Sequence, residues 1–485
     1  MKRKLPVVFF AAWFGAGVWA QASGLPNIIF ILADDFGYGD VSCYNPESKV
    51  QTPFLDKMAA DGMRFTDAHA SAQICAPSRY GLLSGRYAFR DKRKDVSRRL
   101  TIPKMLKQRG YATAAVGKWH VQHLDLKFAD KDGRQIQPDT QIERLDASKP
   151  VKGAREAGFD YFFGTYACPT SSRLYAYIEN DRIVGNPNEI FPGFKKWLSI
   201  ARAARKSADF KFEEVDLVFL DKSKAFIEKH RQENPDHPFF LYHSMQAVHG
   251  PAIPADQFVG KSQAGLHGDF IYEADWIVGQ LFECLKEQGI EEDTLVIFSG
   301  DNGPETQTGY IQKTYNHNSA YSLRGMKRDN WEGGHREPFI VKWPANVKPG
   351  QIDDTLISHV DVLATLAEIA GVDIPEGEAT DSYSFLPLFQ GKPYVRPAPL
   401  IHSVTQESAD AFAIRTPEWK LLAHQGAGSR NLSRGFEYLQ PLSEPDAPGQ
   451  LYDMRTDQME SNNLWYENPE RVEQLLKQLN AMIEE

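Results

Sequence analysis

Four oxygen-bearing side chains set the first chemical constraint. Asp34 and Asp35 follow the apolar run Asn27–Ala33, and Asp301 and Asn302 follow a second run from Thr294 to Ser299. Three carboxylates and one amide, with no His or Cys among them, form a hard donor set that suits Ca²⁺ or Mg²⁺ over a transition metal. Such a cation neutralises charge on an oxyanion and helps ionise a nearby hydroxyl. Gly117-Lys118-Trp119-His120 follows a third run, where the lysine can hold an anion and the histidine can move a proton. His249 precedes Gly250-Pro251 beyond a fourth run. Cys75-Ala76-Pro77-Ser78-Arg79 places a thiol and a guanidinium close together in sequence, with Leu83, Gly85 and Arg86 downstream. Leu323-Arg324-Gly325-Met326-Lys327 and Glu332-Gly333-Gly334-His335-Arg336-Glu337-Pro338 add a further cationic stretch.

These residues need a scaffold that brings distant positions to one edge. The runs at Asn27–Ala33, Ala112 to Gly117, Phe239–Ser244, Thr294 to Ser299 and Phe339 to Trp343 are short, apolar and without strict alternation. They read as parallel strands covered on both faces. Helical patterns at Ile102 to Arg109, Asp216 to His230 and Phe270 to Gln288 alternate with them, which predicts an α/β sheet flanked by helices. Ligand sites in such sheets gather beyond the carboxyl ends of the strands, where the polar clusters fall. After about residue 390 the pattern changes. Ala411 to Leu422 reads as a hairpin around Thr416-Pro417, Gln450–Asp453 as a short strand, and Pro469 to Glu485 as an amphipathic helix. The expected organisation is a signal peptide over 1–22, a catalytic domain over 23–390 and a smaller α+β domain over 391–485.

The chain has 485 residues, 25% charged, with a formal net charge of -9, which argues against a generic nucleic-acid binder. Any anionic substrate must then be held by a local basic cluster. Met1-Lys2-Arg3-Lys4, an apolar stretch from Leu5 to Trp19, and Ala20-Gln21-Ala22 have the three parts of a secretory signal peptide. The apolar stretch is short for a membrane span, so no stable membrane anchor is expected, and export to a periplasm or medium is. Four cysteines are present, Cys43, Cys75, Cys168 and Cys284. An oxidising compartment permits disulfides. If Cys75 is used chemically, at most one intramolecular bridge remains among the other three.

The full Cys75-Ala76-Pro77-Ser78-Arg79 string with its downstream Gly85-Arg86 resembles the signature of the type I sulfatases, in the alkaline phosphatase superfamily. In these enzymes the cysteine is oxidised to formylglycine by a maturation enzyme. The five segments from Asp34 to Pro338, with Ala413 to Leu421 and Leu451 to Leu464, extend the resemblance over nearly the whole mature chain. The resemblance implies an alkaline-phosphatase-like mixed sheet flanked by helices. It implies Ca²⁺, or less readily Mg²⁺, held by Asp34, Asp35, Asp301 and Asn302. The hydrated aldehyde at position 75 would attack sulfur and form a covalent sulfo-enzyme. Its second hydroxyl would then expel sulfate, an exit closed to a serine. Arg79 would sit beside the diol, Lys118 and Lys327 would contact sulfate, His120 would deprotonate the hydroxyl and His249 would protonate the leaving alcohol.

Two departures from the family pattern stand out. Val121-Gln122-His123-Leu124-Asp125 replaces the usual continuation after Gly-Lys-Trp-His, so His123 either reaches the sugar side of the pocket or lies in a surface loop. Glu337 stands where the family usually has Val, and is given no role. The basic residues Lys92-Arg93-Lys94 with Arg98-Arg99 read as a solvated face. The resemblance points to an exo-acting sulfatase on a sulfated polysaccharide or oligosaccharide. A broad arylsulfatase shares the same core. A phosphomonoester or phosphonate hydrolase shares the fold, but its relatives typically hold two zinc ions, which the His-poor donor set disfavours. An inactive glycan-binding homologue is the non-enzymatic alternative.

Overall fold

A computed structural model describes residues 24–91, 95–121, 150–170, 174–196, 199–201, 203–305, 307–403, 411–428, 443–444 and 446–484. The signal-peptide stretch 1–22, His123 and Lys92-Arg93-Lys94 lie outside the described residues. Among the described residues no helix is long and apolar enough to cross a membrane.

Strand β1 (Asn27–Ala33) is buried at every position. Ile28, Phe30 and Leu32 enter one apolar core, while Ile29, Ile31 and Ala33 enter the other. This two-sided burial is why the run shows no polar alternation. Further strands are β2 (Met63–Phe65), β3 (Ala112–Lys118), β4 (Tyr161–Thr165), β5 (Ile178–Glu179), β6 (Arg182–Ile183), β7 (Phe239–Ser244), β8 (Thr294–Gly300), β9 (Phe339–Lys342) and β10 (Gln351–Asp353). They form a ten-stranded sheet in the order β10-β2-β9-β8-β1-β7-β3-β4-β5-β6. The central strands β8, β1, β7, β3 and β4 are parallel. Helices α1 (Pro53–Asp61), α4 (Val215–Glu233) and α5 (Gly265–Glu287) cover one face; α2 (Cys75–Ser84), α3 (Ile102–Lys107) and α6 (Asp361–Ala370) cover the other. The sequence therefore gives a mixed α/β fold with helices on both faces. One expectation is corrected: β9 runs antiparallel to β8, not parallel. A strand buried on both faces looks alike in either direction, so its composition could not set its polarity.

The smaller sheet is antiparallel, with β11 (Leu400–Ser403), β12 (Phe412–Arg415), β13 (Trp419–Leu422) and β14 (Gln450–Asp453) in that order. The expected hairpin forms, and Trp419 N donates to Thr416 Oγ1 across its turn. Helix α7 (Pro469–Glu484) buries Val472, Leu475 and Leu479 against Ile401, Ile414, Leu421 and Leu451. Their spacing gives the single apolar stripe of a surface helix.

Candidate active site

Because β1 and β8 are parallel neighbours with Ala33 opposite Gly300, the residues that follow them emerge side by side. Asp34, Asp35, Asp301 and Asn302 are all fully or almost fully buried there. The cluster thus lies beyond the carboxyl ends of parallel strands, where ligand sites of open α/β sheets form. Asp35 takes a left-handed backbone, φ 57°, an uncommon conformation for a residue with a Cβ. Its N–H donates to Asp301 Oδ1 at 3.2 Å, and Asn302 Nδ2 donates to Asp35 Oδ1 at 2.8 Å.

Three oxygens in this cluster, Asp34 Oδ1, Asp35 Oδ2 and Asn302 Oδ1, are buried without a hydrogen-bond partner among the described residues. Unpartnered buried acceptors are costly. An oxygen-loving divalent cation would satisfy them, so the residues fit the metal that the donor set implies. Burial, then the neighbouring Asp301, pushes the Asp34 carboxyl up to about 7. Burial also acts to raise Asp301, but Arg79, Lys118 and Lys327 outweigh it and hold that carboxyl below the usual range.

Cys75 opens α2 after an extended Ile74, so it stands at the positive end of a helix. One turn on, Arg79 is fully buried. Its Nε donates to Asp301 Oδ2 at 2.8 Å, its Nη2 lies in ion-pair contact with the same oxygen at 2.7 Å, and its Nη1 donates to the Lys118 carbonyl at 3.1 Å. A single guanidinium thus ties α2 to the ends of β8 and β3. Lys118 is the last residue of β3 and donates to Asp34 Oδ2. Gly117 permits that approach, because a Cβ there would lie 1.8 Å from the Ser244 carbonyl oxygen. Lys327 is buried and donates to Asp35 Oδ1, with Glu305 Oε2 at 3.6 Å.

The two histidines face the cluster from different loops. His120 has φ 42° and donates its backbone N–H to the Tyr166 carbonyl at 2.9 Å. Its Nδ1 lies 3.3 Å from Cys75 Sγ. His249 Nδ1 donates to the Gly250 carbonyl at 2.7 Å, which leaves Nε2 facing Asp35 Oδ2 at 3.9 Å. Burial pulls both imidazoles down. It prevails at His120, whereas Cys168, Asp34 and Asp35 outweigh it at His249 and raise that ring to about 9. Opposite displacements of two neighbouring groups are what an acid and a base require.

The structure therefore brings together ten of the eleven residues singled out in the sequence; His123 lies outside the described residues. It adds Cys168, whose Sγ is 3.7 Å from the same His120 nitrogen. It also adds the pair Glu305 and Arg328, in which Arg328 Nη1 and Nη2 donate to Glu305 at 2.7 and 2.9 Å. Neither addition carried a sequence signal beyond residue type.

The family model described as Sulfatase matches residues 26–372, and the one described as N-sulphoglucosamine sulphohydrolase, C-terminal, matches residues 326–430. The chain belongs to the sulfatase family. The sulfatase is 33% identical to an N-acetylgalactosamine-6-O-sulfatase of Bacteroides thetaiotaomicron, over 95% of this chain and 94% of that one. It is 30% identical to the human N-acetylgalactosamine-6-sulfatase, over 77% of this chain and 67% of the relative. A solved structure described under metabolism of multiple glycosaminoglycans by Bacteroides thetaiotaomicron superposes with a TM-score of 0.79, at 30% identity, covering 96% of this chain and all of that one. A phosphonate monoester hydrolase of Agrobacterium radiobacter superposes at a TM-score of 0.59 and 16% identity, which shows a common fold only. This sulfatase is a sulfuric ester hydrolase.

Proposed function

We propose that this sulfatase removes sulfate from glycosaminoglycan-type sugars, acting at chain ends outside the cytoplasm, with Cys75 as the precursor of a formylglycine nucleophile. The observation that carries the reading is the position of Cys75. It stands at a helix N-terminus within reach of His120, beside an acid cluster with unpartnered oxygens and buried Lys118, Lys327 and Arg79. The sugar class is supported by the printed activities of the Bacteroides and human relatives. Burial of Cys75 supports exo action, since the sulfate must project into the protein to meet it. Export is supported by the N-terminal pattern alone.

The donor set Asp34, Asp35, Asp301 and Asn302 would hold Ca²⁺, which would supply charge neutralisation at the sulfate oxygens. The hydrated aldehyde at position 75 would supply a nucleophilic hydroxyl and a second hydroxyl through which sulfate leaves. The remaining work falls to side chains of the chain itself. Lys118 and Lys327 balance the charge of the sulfate, and Arg79 holds α2 in register with the acid cluster. His249, raised to about 9, is protonated near neutrality and gives its proton to the departing alcohol oxygen. His120, lowered by burial, is neutral there and takes the proton from the second hydroxyl of residue 75.

A panel of sulfated mono- and oligosaccharides with free-sulfate detection tests the substrate class. Release from sulfated galactosamine or glucosamine ends, and none from internal units, is expected. Activity confined to simple aryl sulfates would refute the sugar assignment. Peptide mass analysis of the protein from its native host tests position 75, and an unmodified cysteine in active protein would refute the mechanism. N-terminal sequencing of the exported protein is expected to begin after Ala22.

A further inference from the structure

Cys168 reaches into the cluster, yet the metal set, the acid–base pair and the sulfate-facing cations make no use of it. Its place is built into the fold. Trp119 N donates to the Thr165 carbonyl and His120 N to the Tyr166 carbonyl, both at 2.9 Å, so the β3–β4 ladder continues past the ends of the two strands. The chain then turns, with Thr165 Oγ1 donating to the Ala167 carbonyl at 2.8 Å. Thr170 Oγ1 donates to the Gly250 carbonyl at 3.2 Å, which fastens this loop to the one carrying His249. The result sets Cys168 Sγ, Cys75 Sγ and a His120 ring nitrogen within 4.8 Å of one another. Both cysteines are buried, at 3% and 5% exposure. The other two cysteines sit elsewhere: Cys43 beside Asp56 and Arg64, and Cys284 in the core on α5.

We infer that Cys75 and Cys168 are a cross-linking pair, and that in the unconverted chain an external disulfide joins them. The step balances as two thiol–disulfide exchanges. A thiolate of the pair attacks a sulfur of an external disulfide such as oxidised glutathione, which forms a mixed disulfide and releases one small thiol. The second thiolate attacks the protein sulfur of that mixed disulfide and releases the other small thiol. The two protein thiols lose two protons and two electrons, and the external disulfide gains both. His120 Nδ1 lies 3.3 Å from one sulfur and 3.7 Å from the other, so one base serves both. A disulfide spans about 2.05 Å, so closure from within 4.8 Å falls to side-chain rotation at the first residue of α2 and on the loop after β4. The cross-link takes the Cys75 thiol out of reach of conversion, and a dithiol reductant restores it. The cross-link itself needs neither turnover nor conversion; only its effect on maturation rests on the formylglycine reading.

The test uses the full chain produced without a formylglycine-generating enzyme. It is exposed to oxidised glutathione under native conditions, denatured in excess iodoacetamide without reductant, and mapped by peptide mass. The expected product is the Cys75 peptide joined to the Cys168 peptide, two hydrogens lighter than the pair and separated by dithiothreitol, with Cys43 and Cys284 alkylated. Separate alkylation or separate glutathionylation of Cys75 and Cys168, or a bridge from Cys75 to Cys43 or Cys284, would overturn the proposal. In Cys168→Ser, checked for folding by thermal melt, Cys75 is expected to form no intramolecular bridge. Bridging of Cys75 to another cysteine of that variant as readily as in the wild type would also overturn it. Incubation with a maturation enzyme before and after dithiothreitol reads the consequence: conversion of the reduced chain only is expected, and equal conversion of both refutes the block. Conversion of neither chain also refutes the block, because burial of Cys75 then withholds it without any cross-link, while the cross-linked peptide still decides the pairing and peptide mass analysis of native protein still decides the formylglycine reading.

Discussion

Two buried polar clusters in this protein differ in how completely their charges are matched. The first is the acid cluster at the ends of β1 and β8, where Asp34, Asp35 and Asn302 each keep an oxygen without a partner. The second joins the smaller sheet to the large one. There Glu332 Oε1 pairs with Lys420 Nζ at 2.9 Å, and Glu332 Oε2 lies 3.4 Å from Arg336 Nη1. Asp67 pairs with Arg415 Nη2 at 2.9 Å and accepts from His69 Nε2 at 2.9 Å. Burial alone would raise Glu332, yet Lys420, His69 and Arg415 hold it well below the ordinary range. Exceptions sit inside this second cluster: among the described residues Arg415 Nε has no hydrogen-bond partner, and His402 stacks on His335 at 3.7 Å with both ring nitrogens unpartnered, where burial keeps it neutral. Equal burial thus supports two purposes. A matched network fixes how elements sit together, whereas lone pairs left open inside a protein mark a place for something that arrives later.

The sharpest way to separate the clusters is to remove chemistry without removing a charge. Cys75→Ala deletes a thiol that pairs no ion, so the melting temperature is expected to stay close to wild type. Sulfate release should fall by more than about 10³-fold, since a covalent nucleophile has no substitute in the site. Substantial turnover in Cys75→Ala would break the distinction. The converse change is Glu332→Ala, which takes one carboxylate partner from Lys420 and from Arg336 while leaving Lys420 on Glu460 and Arg415 on Asp67. Removing one partner from a buried ion-pair network costs up to about 3–5 kcal/mol, measurable by urea denaturation. Activity per folded molecule should hold, because none of the residues in contact with Cys75 is touched. A stable but inactive Glu332→Ala would mean that the second cluster belongs to the site.

Adding Ca²⁺ probes the open oxygens directly. A ligand that binds only the folded state at 100 times its Kd stabilises by about 2.7 kcal/mol, so the thermal midpoint should rise with Ca²⁺ and fall on chelation. Asp35→Asn should lose most of that shift. An unchanged midpoint across saturating Ca²⁺ would show the orphaned oxygens to be a cost the fold tolerates.

How much of this was legible in the sequence follows from the same contrast. Asp34-Asp35 and Asp301-Asn302 each adjoin a buried strand, and runs such as Asn27–Ala33 and Thr294–Gly300 form where their composition places them. Gly117-Lys118-Trp119-His120 and Cys75 to Arg79 were readable because short contiguous segments carry them. Cys168 was not, because only the continued β3–β4 ladder puts it beside His120. The second cluster was equally hidden. Asp67, Glu332 and Lys420 are far apart in sequence, and none sits in a pattern that announces a partner. The segment 174–206 gave no signal either, since its strands are two or three residues long. Packing of Tyr175 against Phe212, with ring centroids 4.8 Å apart, helps hold it in place of a periodic face.

The smallest expected effect concerns Glu337, which lies between the two clusters in kind. It is fully buried, and both carboxylate oxygens lack hydrogen-bond partners among the described residues. Burial first, then Asp301, Asp35 and Asp40, pushes its carboxyl well above the ordinary range. The folded protein therefore keeps this proton over a window in which the unfolded chain, titrating near about pH 4.3, has released it. Through that window the native state binds one more proton than the unfolded state, so stability from this group declines as pH rises, by about 1.4 kcal/mol per pH unit. The contribution is fully present below the unfolded value and is lost as pH climbs through the folded one. Glu337→Gln never ionises and has no such slope. Its melting temperature should match wild type near pH 4 and exceed it increasingly at higher pH. A constant difference across pH would show that Glu337 is ionised in the fold and matched by a charge. It would then belong with the closed cluster, not with the open one.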